Sequence, residues 1–248
     1  HEVGHALYEQ GRPVDAYDGL PVARALSMGV HESQSLLWER MVFQSRAFWE
    51  FAAPRVRARF AHVGEDVGAA ELYAAANVVA PGLIRVDADE VSYPLHIILR
   101  FELEQALFDG SLAVDDALPA AWNRRFEELV GLRVPDDARG ILQDVLWGAG
   151  AIGYFPSYTL GAIAAAQLFA AAKRELGDLD AMIARGEFAP LREWLREKVH
   201  AQGSLHASPD ELLIAATGEP LNTKYFLEHL RGKYSELYQL DPSELVAE

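Results

Sequence analysis

The chain has 248 residues, of which 50% are hydrophobic and 24% are charged, a balance that suits a globular protein with a sizeable core. Its formal net charge of −15 argues against sequence-independent binding to nucleic acid or to an anionic membrane surface. The absence of cysteine excludes disulfides, cysteine-bound zinc and a thiol nucleophile, so any metal must be held by histidine and carboxylate.

The apolar periodicity is helical along almost the whole chain. The chain opens in a helix, and a second, long helix begins near Ser33 or Ser35, with Pro54 kinking or ending it. Further helices are predicted over Leu95–Leu107, Ala117–Val130, Tyr158–Leu176, Leu191–Val199, Pro209–Ala216 and Thr223–Leu240. Only Leu83–Ser92 alternates apolar and polar residues as a strand or an extended loop does. We therefore expect one mainly α-helical unit with a small β element.

The segment Val145–Ala172 carries no formal charge, but glycines and Pro156 interrupt it, whereas a membrane span needs about 20 apolar residues in a row. We expect a buried core segment, no membrane partner and a cytoplasmic protein.

His1 is not an initiator methionine, and no signal or transit sequence precedes it. We therefore also expect a fragment or processed product whose upstream half is missing.

The first five residues, HEVGH, match the pattern HExxH. On a helix, His1 and His5 lie on one face, so both imidazoles can bind the same cation. Glu2 lies beside that face, where it can act as general base on a metal-bound water without binding the metal. Zinc in catalytic sites takes three protein ligands and keeps one position for water, whose pKa falls to about 7. The motif therefore predicts metal-assisted attack of water on a carbonyl group.

Glu32, in the segment HESQS, is the preferred third ligand. It lies at the start of the next long helix, and two antiparallel helices would bring its carboxylate back to the histidine pair. His31 is the competing ligand, but two histidines and a glutamate are a recurrent catalytic zinc set. The alternative is that HExxH is an accidental string on an ordinary helix, which the acidic partner at this distance disfavours.

Five motifs follow one another along the chain: HEVGHALYEQG, GVHESQS, IRVDADEVSYPLHIILRFELE, GILQDVLW and GYFPSYTLG. In this order they resemble the carboxypeptidase Taq family of metallocarboxypeptidases, and the tail from Gly203 resembles that family's C-terminal end. Residues 1–248 would then be the C-terminal part of a single catalytic domain of a helical, zincin-like metallopeptidase, with the β element near its active-site groove.

The resemblance also implies an activity and a set of site residues. Such enzymes remove single residues from peptide C-termini with broad specificity that tends to exclude proline, and they are usually homodimers. Zinc, or in some relatives cobalt, would be bound by His1, His5 and Glu32, with Glu2 as general base. These assignments agree with those made from the residues alone.

Three further residues are candidates for contacts around the substrate. Arg85 matches a family arginine proposed to bind the substrate's α-carboxylate, unless it pairs with Asp87 or Asp89 instead. Asp89 either orients a ligand histidine from outside the ligand set or caps the helix that starts near Tyr93. Tyr154 either donates a hydrogen bond to the developing oxyanion or is a core aromatic.

The chain departs from the family pattern at two points. Gln143, Asp144 and Trp147 fit the element GxxQDxHW, but Leu146 replaces its histidine, which predicts altered specificity or rate rather than loss of the metal site. The family's upstream DxRxT element is absent, and with nothing before it the first helical turn would fray at His1. The remaining histidines have no ligand-like spacing, and we expect surface or core-polar roles for His62, His96, His200, His206 and His229.

Two other functions remain open from the sequence. The first is an HExxH endopeptidase of related helical fold, which would cleave a peptide and its C-terminally amidated form equally well. The second is a non-catalytic scaffold derived from such an enzyme, which would bind no stoichiometric zinc.

Overall fold

The structure, a computed structural model, describes residues 1–60, 64 and 66–241. Over these residues the chain forms eleven α-helices: α1 Glu2–Gly11, α2 Met28–Leu36, α3 Arg46–Arg59, α4 Ala69–Ala76, α5 Tyr93–Phe108, α6 Ala117–Val130, α7 Pro156–Leu176, α8 Leu179–Ala184, α9 Ala189–Lys198, α10 Pro209–Thr217 and α11 Lys224–Tyr238. Short 3-10 turns lie at Pro21–Ala23, Arg85–Asp87, Ile141–Gln143 and His200–Gln202. The mainly α prediction is confirmed.

The chain divides into two compact units, each with its own core. The first comprises His1–Ala76 and Leu160–Glu248, and its core is built on aliphatic side chains such as Leu37, Leu168 and Leu191. The second comprises Asn77–Thr159, where α5 and α6 pack around a smaller core of Leu99, Leu103, Ala121, Trp122 and Phe126. The sequence predicted one mainly helical unit, whereas the structure has two compact units. That both units belong to one catalytic domain stays a prediction.

The predicted long helix near Ser33 is in fact two helices. Ser27 begins α2 by accepting a hydrogen bond from the Val30 amide, and a π-helical stretch, Leu37–Phe43, follows. Ser45 then caps α3 through the Phe48 amide. Pro54 lies inside α3 and does not end it.

The predicted β element at Leu83–Ser92 does not form a strand, which corrects the sequence prediction. Arg85–Asp87 is a 3-10 turn, flanked by loop. The Gln143 side chain accepts a hydrogen bond from the Arg85 amide at 2.8 Å and donates one to the Leu83 carbonyl at 3.0 Å. A side-chain amide thus satisfies backbone groups that a neighbouring strand would otherwise bind.

The uncharged segment Val145–Ala172 behaves in two ways. From Gly161 to Ala172 it forms most of the buried face of α7, as predicted. The part before α7 is a largely exposed loop with Gly150 and Gly153 at positive φ, so the core prediction is wrong there except at Phe155, which is buried. Among the described residues, no helix combines the length and the apolar character needed to cross a membrane.

Candidate metal centre

The side chains of His1, His5 and Glu32 meet in the first unit. The two Nε2 atoms of His1 and His5 lie 3.2 Å apart. Glu32 Oε1 lies 3.8 Å from His1 Nε2, and Glu32 Oε2 lies 3.5 Å from His5 Nε2. In the described part of the chain, these three residues form a histidine and carboxylate cluster whose donor atoms all lie within 4.8 Å of one another.

The spacing of these donors fits a tetrahedral zinc ion. Zinc binds imidazole nitrogen and carboxylate oxygen at about 2.0–2.2 Å, which separates neighbouring ligand atoms by about 3.3–3.6 Å. The two Nε2 atoms are 3.2 Å apart, and the distances of 3.8 and 3.5 Å to Glu32, which involve its Oε1 and its Oε2 respectively, also lie near that range. The Glu32 carboxylate is buried, and its burial raises its pKa.

Two glycines allow the helices to approach closely enough to form the cluster. A Cβ atom at Gly4 would lie 2.4 Å from the Gln34 carbonyl oxygen and 2.5 Å from Ser35 Cα, so α1 packs directly on the backbone of α2. A Cβ atom at Gly161 on α7 would lie 2.8 Å from both Cβ and Cγ of Glu32. Of the two variable positions in HExxH, the second is Gly4, and the close packing of α1 on α2 leaves no room for a side chain there.

Replacing Gly4 by Ala should destabilise the protein by about 1–3 kcal/mol, since a backbone carbonyl cannot move aside as a flexible side chain can. The same change should move His1 and His5 away from Glu32, because α1 must shift away from α2. Gly232→Ala in α11 is the matched control, because a Cβ there meets nothing within 4 Å. It should stabilise the protein by about 0.5–1 kcal/mol. Urea denaturation of both variants measures the difference, and equal stabilities would contradict the close-approach argument.

The ring nitrogens that face away from the cluster are also engaged, through residues that the sequence reasoning did not select. His1 Nδ1 lies 2.6 Å from Glu39 Oε2. His5 Nδ1 lies 2.6 Å from His31 Nδ1, and His31 Nε2 lies 2.9 Å from Glu9 Oε1. His31, the competing ligand in the sequence, thus lies behind His5. The helical spacing of Glu9, four residues after His5, was the available signal.

The electrostatic surroundings of the two histidines differ. The hydrogen bond to Glu39 raises the pKa of His1, against the effect of its partial burial. Burial lowers the pKa of His5, and the neighbouring His31 and His1 lower it further. Glu2, one residue after His1, is exposed on the first turn of α1. It is thus next to the cluster in sequence and accessible to solvent.

Arg85 lies in the second unit, buried, and pairs with neither Asp87 nor Asp89. Its Nε and Nη2 donate to Asp144 Oδ1 at 2.9 and 2.6 Å, and its Nη1 donates to the Tyr93 hydroxyl at 2.8 Å. Burial alone would lower the pKa of Arg85, but its hydrogen bonds to Asp144 raise it. The guanidinium therefore belongs to a buried network of this unit.

Asp144 binds a second arginine, Arg100, whose Nε donates to Asp144 Oδ2 at 2.6 Å. Arg100 is fully buried, which lowers its pKa to about 10, and it lies over the ring of Trp122 with its guanidinium carbon 4.6 Å from the ring centroid. Burial opposes ionisation of Asp144, but the two arginines hold its pKa below the usual range. In the sequence, Asp144 was identified only as part of a family motif, and its pairing with two buried arginines was not predicted.

The hydrogen bonds of Asp89 are those of the capping alternative, whereas its role in orienting a ligand histidine stays a prediction. Its Oδ1 accepts from the amides of Val91 and Ser92, each at 2.9 Å, and its Oδ2 accepts from Ala80 and from the Ser92 hydroxyl. Both oxygens are committed to the turn that leads into α5. The capping alternative accounts for Asp89.

Tyr154 and the GxxQDxHW element also lie in the second unit. Tyr154 is half-buried, with its ring edge-to-face on Tyr158 at 5.4 Å between centroids. Trp147 Nε1 donates to the buried Glu104 carboxylate at 3.1 Å, and Leu146 is half-buried. These contacts give the element a structural task in this unit.

The histidines that were given no ligand role divide by burial. His96 and His200 are buried, and burial lowers the pKa of each to about 4, so they are neutral core-polar groups. His200 Nε2 bonds Gln34 Oε1 at 2.9 Å. His206 and His229 are half-buried, and His62 lies outside the described residues.

Comparison with known proteins shows which family the chain resembles. A family model described as carboxypeptidase Taq (M32) metallopeptidase matches residues 1–234. Thermostable carboxypeptidase 1 of Thermus thermophilus is 49% identical over 96% of this chain, and carboxypeptidase 1 of Bacillus subtilis is 42% identical over 97%. The crystal structure of an M32 carboxypeptidase from Deinococcus radiodurans superposes with a TM-score of 0.93 at 47% identity, over 97% of this chain and 48% of that one. The chain spans 46% and 47% of the two relatives' lengths.

Proposed function

Because the chain belongs to the carboxypeptidase Taq (M32) metallopeptidase family, we propose that it carries the metal-binding part of a zinc-dependent metallocarboxypeptidase. The full-length protein hydrolyses the C-terminal peptide bond of peptides with broad specificity. The observation that carries this proposal is the convergence of two imidazoles and one buried carboxylate at ligand-to-ligand distances. His1, His5 and Glu32 hold zinc, and cobalt is the substitute that this donor set would also accept.

The catalytic division of labour follows from the positions of these side chains. When bound, zinc supplies a Lewis acid that polarises the scissile carbonyl and lowers the pKa of the attacking water. Glu2 takes a proton from that water on its carboxylate and delivers it to the leaving amine. Its place on the exposed edge of α1, beside rather than within the cluster, leaves both oxygens available for this transfer.

Recognition of the free C-terminus is assigned to Arg85, and stabilisation of the oxyanion to Tyr154. An arginine can bind a carboxylate in bidentate fashion. Asp144 and the Tyr93 hydroxyl accept hydrogen bonds from three of the five N–H groups of the Arg85 guanidinium, which leaves one on Nη1 and one on Nη2 for a substrate carboxylate. The proposed partners are peptide C-termini, and the proposed assembly is a homodimer. The acidic composition argues against nucleic acid or a membrane as a partner. We also propose a cytoplasmic location.

The test compares a peptide with its C-terminally amidated form, using the full-length protein loaded with zinc. A carboxypeptidase should cleave the free acid far faster, and the ratio of the two kcat/KM values should fall by roughly 10–100-fold in Arg85→Ala, which removes a hydrogen-bonded charge pair. Because this is a ratio, a loss of stability in the variant does not disturb it. Equal cleavage of acid and amide would indicate an endopeptidase, and the absence of stoichiometric zinc would indicate a scaffold.

A further inference from the structure

The two ligand histidines are supported in different ways. A carboxylate, Glu39, contacts the far nitrogen of His1 directly. Behind His5, a second imidazole stands between the ligand and the carboxylate, which gives the chain of side chains Glu9–His31–His5. Arg12 in turn pairs with Glu9. His5 and Glu9 lie on one face of α1, since Glu9 follows His5 by four residues, and Arg12 is the extended residue directly after the helix.

Only one arrangement of protons satisfies this chain when a metal is bound. A metal held by His5 Nε2 would use the lone pair of that nitrogen, so the His5 proton would be on Nδ1. That N–H donates to His31 Nδ1, 2.6 Å away, which must therefore carry no proton. The His31 proton is then on Nε2, where it donates to the Glu9 carboxylate at 2.9 Å. The chain ends on an anion that Arg12 holds in place.

Packing fixes His31 in this orientation. The ring of Tyr8, which is fully buried, lies edge-to-face against His31 with 5.1 Å between centroids. The Tyr8 hydroxyl accepts a hydrogen bond from the Leu26 amide at 3.3 Å, just before α2 begins. Both nitrogens of His31 are occupied, by His5 and by Glu9, which leaves neither for direct binding of the metal.

We propose that His31 is a positioning residue: it holds His5 in its metal-binding tautomer and links the His5 ring through hydrogen bonds to the negatively charged Glu9. This inference rests on the proposed function, because it requires a metal bound by His1, His5 and Glu32. Outer hydrogen-bond partners of this kind raise the basicity of a ligand imidazole and fix its ring, and their loss weakens metal binding about 10–100-fold.

Two substitutions at His31 test the proposal in the full-length protein, with zinc affinity measured by competition with a chelator. His31→Phe keeps a ring against Tyr8 but removes both nitrogens, and it should bind zinc about 10–100-fold more weakly. His31→Gln should bind zinc within a few-fold of the unsubstituted protein, because its amide can accept from His5 and donate to Glu9. His206→Phe, a matched change outside the cluster, should leave the affinity unchanged.

The outcomes separate this inference from the proposed function. Equal affinities for the Phe, Gln and unsubstituted proteins would overturn the role of His31, as would equally severe losses in both variants. A full-length protein that binds no zinc before any substitution would instead overturn the proposed function. Nitrogen-15 NMR of the zinc-bound protein needs no variant, and a His31 ring protonated at Nδ1 would also overturn the proposal.

Discussion

Replacing Glu2 by Gln should lower kcat of the full-length protein by about 10²–10⁴-fold while leaving one zinc bound per chain. An amide cannot accept the proton of the attacking water, so the chemical step loses its base. The metal ligands are unaffected, because Glu2 is not part of the cluster formed by His1, His5 and Glu32. The side chain is exposed, so the change should not alter folding. Steady-state kinetics together with metal analysis of the same sample measure both quantities.

Glu228→Gln is the control for this experiment, because it makes the same chemical change at an exposed position on α11. Its kcat and zinc content should equal those of the unsubstituted protein. A Glu2→Gln protein with normal kcat would remove Glu2 from the mechanism. A Glu2→Gln protein that has lost its zinc would show that Glu2 contributes to metal binding instead.

The metal cluster was largely predictable because its information is local. A helix places His1 and His5 on one face by periodicity alone, and two histidines with a glutamate are a recurrent catalytic ligand set, which pointed to Glu32. The residues behind the ligands were harder to find. Glu39 is one of many acidic residues, and only the packing of α1 on α2 and on the π-helical stretch that follows it brings Glu39 to His1. The need for Gly4 is likewise a property of that packing.

The second unit was less predictable because its contacts join residues far apart in the chain. The pattern at Leu83–Ser92 resembled a strand, yet Gln143 supplies the hydrogen bonds that stabilise a turn there. Arg85 had two acidic neighbours in sequence, but it pairs with Asp144, 59 residues away. Local charge patterns identify possible partners, whereas burial decides which pair forms, since a desolvated charge must have a well-placed counterion.

Replacing Asp144 by Asn should therefore lower the free energy of unfolding by about 3–5 kcal/mol, because it leaves two buried guanidinium groups without their shared counterion. Arg100 has no exposed side-chain surface and Arg85 has little, so water cannot substitute for the carboxylate. Asp136→Asn is the control in the same unit. Asp136 pairs with Arg139 on the surface, where an ion pair contributes little, so this variant should unfold close to the unsubstituted protein in urea.

A double-mutant cycle with Arg100→Met isolates the electrostatic cause. Methionine retains much of the apolar stem that packs on Trp122 but carries no charge. In the Arg100→Met background, Asp144→Asn therefore leaves only one buried guanidinium, that of Arg85, without its counterion. The cost of Asp144→Asn should then be clearly smaller than in the unsubstituted protein. The same cost in both backgrounds would mean that Asp144 acts by filling space. A cost no larger than that of Asp136→Asn would mean that the buried network does not depend on its carboxylate, and Arg85 would then be held by Tyr93 and packing alone.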